Sequence, residues 1–163
     1  MEIEKLVEAF TTAAKIGPTP PVEGVWRFSA DGNCFGVMAD DSGENLWLFG
    51  DVANPPPDME ESFRKAVLEA NFFGRSTGGA VFSLNPDTGA YMLARSERLD
   101  RLSPESFFAL VEKFVNTLAT WNGLVGAAQG DGSSSAEAEG EGQEAEAGDS
   151  APAGFPAGGF MQV

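Results

Sequence analysis

The chain has 163 residues with 25 acidic and 10 basic side chains, a formal net charge of −15, one cysteine and no histidine. Its length allows one ordinary domain. Its acidity disfavours DNA and anionic lipid, which are bound through clustered Lys and Arg. The missing histidine removes the commonest general base, the Ser-His and Cys-His nucleophile arrangements and most zinc ligand sets.

In residues 1–15, Ile3, Leu6, Val7, Phe10 and Ala14 recur at helical spacing with Glu4, Lys5 and Glu8 turned away, which predicts a first amphipathic helix that stops by Gly17-Pro18. Glu2 and Glu4 stand where a secretory leader would carry positive charge, and no apolar run reaches the roughly 18 residues of a membrane span, so the cytoplasm is the expected compartment. Three strands follow at 24–30, 34–39 and 45–52, separated by Asp31-Gly32-Asn33 and Asp40-Asp41-Ser42-Gly43. Those are compact turn sequences, so the segment reads as an antiparallel meander. Cys34 has no partner for an intramolecular disulfide and reads as a small buried hydrophobe.

Alternation along the third strand puts Leu46 and Leu48 on one face and Trp47 and Phe49 on the other, and the first strand repeats this with Val25, Trp26 and Phe28. Both faces of the sheet are therefore apolar. Either helices cover both, or one is kept for a partner.

After Asn54-Pro55-Pro56-Pro57, Asp58 is the expected N-cap of a central helix that ends near Phe73-Gly74. One face of it carries Met59, Phe63, Ala66, Val67, Ala70 and Phe73, and the opposite side carries Leu68 and Phe72. A helix covering one small domain needs a single stripe, so Leu68 and Phe72 either meet something outside it or are two tolerated surface residues. The loop 74–79 is glycine-rich but runs from a helix into a strand and lacks Gly-Lys-Ser/Thr, so it reads as a helix stop and not as a phosphate cradle. A hairpin at 80–84 and 90–96 spans Asn85-Pro86-Asp87-Thr88-Gly89. The last helix begins at Ser103-Pro104-Glu105 and carries the stripe Phe107, Leu110, Val111, Phe114, Val115, Leu118 and Trp121.

Residues 126–163 hold seven acidic side chains, no Lys or Arg and little that is apolar, and read as a disordered acidic tail on a domain spanning 1–125. That domain keeps 18 acidic (25 less 7) against 10 basic residues, a net charge of about −8. The tail's ending, Gly154-Phe155-Pro156-Ala157-Gly158-Gly159-Phe160-Met161, reads first as part of a passive solubilising tail and alternatively as an occupant of the apolar partner face when no partner is present. The carboxylates Asp31, Asp40, Asp41 and Glu44 all fall in turns they serve to build, and no metal-binding loop is recognisable, so neither catalytic residues nor metal nor cofactor are expected.

The order αβββαββα, the segment 68–74 followed by 77–84, the turn 85–89 and the closing helix with its 107–121 stripe resemble the class I type III secretion chaperones of the CesT, or Tir chaperone, type. The resemblance implies an α+β fold, a twisted antiparallel sheet packed with three helices, in a small acidic cytosolic homodimer without enzymatic activity. It further implies a partner, the N-terminal segment of a secreted effector held extended and kept soluble, and delivery to the secretion ATPase. Leu68 and Phe72 would then form the dimer contact, and Ile3, Leu6, Phe10, Trp26, Phe28, Trp47 and Phe49 the effector surface. The chief alternative is a regulatory protein-binding domain of the anti-activator type that uses the same apolar face.

Overall fold

The structure, a computed structural model, describes residues 2–17, 20–74 and 76–131. Helix α1 (Ile3–Ala13) leads into strands β1 (Val25–Ala30), β2 (Asn33–Ala39) and β3 (Asn45–Val52). Helix α2 (Glu60–Ala70), strands β4 (Val81–Leu84) and β5 (Tyr91–Arg98), and helix α3 (Pro104–Asp131) complete the expected order. The strands form one antiparallel sheet in the order β1-β2-β3-β5-β4, so β1 and β4 are its edges.

All three helices lie on the same face of that sheet. Phe10 of α1 meets Phe28 edge-to-face at 5.3 Å and Phe107 of α3 at 5.9 Å. Phe63 of α2 meets Tyr91 at 4.9 Å, and Phe82 meets Trp121 of α3 at 4.7 Å. A side chain at Gly50 would collide with Leu118 and with the Cys34 carbonyl, so glycine is what lets α3 seat against β2 and β3. The register puts Trp26 opposite Val37, Phe28 opposite Phe35 and Val37 opposite Leu48 beneath these helices. Leu6, Val37, Leu46, Leu48, Phe63, Leu93, Phe107 and Leu118 are fully buried there.

Several expectations are corrected in detail. Asp58 is not the N-cap of α2: it belongs to a single 3-10 turn, Pro57–Met59, and Met59 occupies the cap without a side-chain hydrogen bond. Phe73 is not on the core face. The helix ends at Ala70, and Phe73 (φ 56°) and Gly74 (φ 63°) both take the left-handed conformation, which swings the Phe73 ring 84 % into solvent. Cys34 is exposed, because its place opposite Ser29 puts it on the sheet face turned away from the helices. By contrast, Ser103 Oγ accepts from the Ser106 amide at 3.2 Å with Pro104 at the first helical position, the start expected for α3.

Helix α3 passes the boundary expected at residue 125 and runs to Asp131. Its last turns are tied down: Asn122 donates to Asn33 Oδ1 at 2.8 Å and accepts from the Ala53 amide at 2.8 Å, and Gln129 donates to the Asn54 carbonyl at 3.1 Å. The remainder of the acidic tail, 132–163, lies outside the described residues.

Candidate protein-binding surfaces

The expected effector residues separate into two groups. Ile3, Leu6, Phe10, Trp26 and Phe28 point into the core, and none is more than 8 % exposed. Their stripe spacing and alternation mark an apolar face, and in this fold that face is the one the helices cover. Trp47 and Phe49 point the other way. The register brings them together with Met38 (opposite Trp47), Gly36 and Ala94 (both opposite Phe49) and Met92 (opposite Asp51), on the side of the sheet that no described helix covers.

Phe49 is half-buried although no helix packs on it, because its ring lies across Gly36: a Cβ at Gly36 would stand 2.8 Å from Phe49 Cε2. The aromatic ring thus replaces the missing side chain and forms one wall of an open groove of about 630 Å3, also lined by Arg27, Ser29, Cys34, Asp51 and Met92. A mostly apolar trough of this volume suits a few side chains of an extended segment. Beside it runs the β1 edge. Val25 exchanges its outward N–H and C=O with Val22, and by alternation the outward backbone groups of Arg27 and Ser29 meet no described residue.

The opposite edge is closed. Asn71 Nδ2 donates to the Phe82 carbonyl at 3.2 Å and Asn71 Oδ1 accepts from the Phe82 amide at 2.7 Å, so one side-chain amide stands in for a neighbouring strand on β4. Strand addition therefore has β1 available and β4 obstructed.

A second surface is built by α2, which packs against β4. Leu68 is 66 % and Phe72 62 % exposed, and Phe72 stacks edge-on with Phe73 at 4.4 Å. Leu84 of β4 is exposed as well, and so is Val81, which its register with Ala94 places on the outer sheet face with Phe49. Leu68 and Phe72 border a shallow depression of about 550 Å3 with Glu61, Arg64, Lys65 and Glu69 around it. Arg64 pairs with Glu60 at 2.6 Å, so both signs of charge line the rim. Sequence reasoning missed Phe73, whose spacing continues the core stripe and whose departure depends on where the helix stops. It also missed Met38, Met92, Gly36 and Asn71, which acquire their places only through strand register.

The Asp40 carboxylate does structural work in its turn. Asp40 accepts from Ser42 Oγ, the Glu44 and Asn45 amides and Asn45 Nδ2 at 2.7–3.2 Å. These bonds, led by those from Asn45 and Ser42, hold its carboxyl down to about 2. Among the described residues no cluster of His, Cys, Asp or Glu fits a metal ion, and no helix is long and apolar enough to cross a membrane.

No curated protein matches the chain by sequence. Solved structures share the fold. The HopA1–SchA chaperone–effector complex contains a chain 17 % identical with a TM-score of 0.62, the match covering 73 % of this chain and 91 % of that one. The type III secretion chaperone SycH of Yersinia pestis, solved with a fragment of YscM2, is 16 % identical at a TM-score of 0.54, covering 72 % and 98 %. YbjN from E. coli, described as a candidate transcription regulator, is 11 % identical at 0.58, covering 77 % and 92 %. The sequence profile of the Tir chaperone protein (CesT) family matches residues 5–122, well over half of the chain, and the protein therefore belongs to that family of type III secretion chaperones.

Proposed function

We propose that the protein is a homodimeric, ATP-independent secretion chaperone of the cytoplasm that holds the N-terminal segment of a secreted effector in extended form. The observation that carries this reading is the uncovered sheet face. A domain this small spends its apolar residues on one core, yet Trp47, Phe49, Met38 and Met92 lie on the side away from all three helices. An extended client would add to the β1 edge through its backbone and set alternate side chains into the adjoining groove, which separates affinity from sequence specificity. Ile3, Leu6, Phe10, Trp26 and Phe28 then contribute from beneath, as the packed layer that holds this face in shape. Two copies would join through Leu68, Phe72 and Phe73, where a rim of mixed charge can meet its own two-fold image. Delivery to the secretion ATPase follows from the family resemblance, and the binding work needs neither catalytic residue nor cofactor.

Co-expression with secreted effectors tests this. A client should co-purify with its N-terminal segment protected from limited proteolysis, and Trp47→Ser with Phe49→Ser should abolish capture while leaving the chaperone folded. Retention of the client by that double variant, or protection of a folded domain in place of an extended segment, would overturn it. The second outcome would favour a regulatory, anti-activator type of binder, a reading to which the fold shared with YbjN gives some support.

A further inference from the structure

Residues 132–163 divide in two by composition. Up to Asp149 they carry six acidic side chains among Ala, Gly and Ser. From Ser150 onward there is no charged side chain, and the large apolar residues of the segment, Phe155, Phe160, Met161 and Val163, are all found there. The fold fixes where this segment departs. Asn122 binds Asn33 and Ala53, which flank Cys34 of β2 and the end of β3 near Asp51, and both Cys34 and Asp51 are in the wall of the outer-face groove. Gln129, bonded to Asn54, carries the helix further past the same end of the sheet.

We propose that residues 155–163 fold back within the same molecule and occupy the groove between Arg27 and Phe49, as a placeholder that a client segment displaces. The geometry permits it. A connection of about two dozen residues rich in Ala, Glu, Gly and Ser, Asp131 to Phe155, would span about 25–30 Å root-mean-square as a coil. The helix layer to be passed is only about 10–12 Å thick. Tethering supplies an effective concentration on the order of millimolar, so even a contact of millimolar strength is half-formed without any partner. Charge assigns the two halves of the segment their roles. A body of net charge about −8 keeps the acidic half away in water, whereas the uncharged apolar half meets a groove holding one cation, Arg27, and one anion, Asp51. The consequence is a groove shielded from water and from chance partners, and a client affinity lowered by the fraction of molecules in which the tail is seated. That this surface is the client's rests on the proposed function; the contact between tail and groove does not.

Cys34, the only cysteine, is exposed in the groove wall, which makes its alkylation rate a reporter of occupancy in the full-length protein. Cys34 should react at least about twofold more slowly in the unmodified chain than in the triple variant Phe155→Ser, Phe160→Ser, Met161→Ser. Equal rates would overturn the proposal. Protection that grows with protein concentration would overturn it too, by assigning the groove to a second copy. A nitroxide on Cys34 gives an independent measurement: the amide signals of 155–163 should broaden more than those of 133–148, and uniform or absent broadening is the contrary result. A tail that protects Cys34 but is not displaced by any secreted effector would leave the contact standing and remove the chaperone reading of the groove.

Discussion

Replacing Leu68 and Phe72 together by Glu tests the dimer surface with a magnitude that follows from exposure. In the single chain about two thirds of each side chain remains in water, 66 % for Leu68 and 62 % for Phe72. Fully burying such a side chain contributes about 1.5–3 kcal/mol, so completing the burial adds about 1–2 kcal/mol for each. A two-fold contact contains four of them, or about 4–8 kcal/mol, before the further cost of burying four carboxylates. The expected result is a dissociation constant raised by about three to six orders of magnitude, so that a variant at micromolar concentration scatters light as a monomer. Because neither residue belongs to the core, the monomer's unfolding free energy should change by about 0.5 kcal/mol or less. A double variant that stays dimeric refutes the assignment of this face. One that unfolds refutes the claim that these residues face outward.

Other perturbations test the fold. Phe63→Ala removes a fully buried ring that meets Tyr91 and Trp121 edge-to-face, and should cost about 3–5 kcal/mol in denaturant unfolding. Asn71→Ala uncovers the edge of β4 at Phe82; it should cost about 1–2 kcal/mol and promote association through strand pairing, visible as higher-order species in size-exclusion chromatography. Asp40 gives a pH signature. Its carboxyl is more acidic in the folded chain (about 2) than its ordinary value of 3.8, so its stabilisation is complete above about pH 4 and lost as the pH falls through 2. Asp40→Ala should flatten that acid limb in urea midpoints measured between pH 7 and 2; an unchanged limb would show that other carboxylates set it.

The chain's local signals determined much of this protein. Helical spacing placed α1 and α3, turn chemistry placed the hairpins, and Ser103-Pro104 set the start of α3, because each depends on side chains a few residues apart. The same locality explains why Leu68 and Phe72 were legible as a surplus stripe. The tertiary structure alone decided which face of the sheet would be core. Trp26 and Trp47 each lie in strands with apolar residues on both sides, and alternation is symmetric with respect to the two faces. The asymmetry enters only when α1, α2 and α3 all pack on one side, burying Trp26 and leaving Trp47 uncovered. Cys34, Phe73 and Asn71 were misplaced or overlooked for the same reason. Cys34 faces outward through its register with Ser29, and Phe73 through the early end of α2. Asn71 matters through a strand eleven residues on that it reaches only in the folded chain.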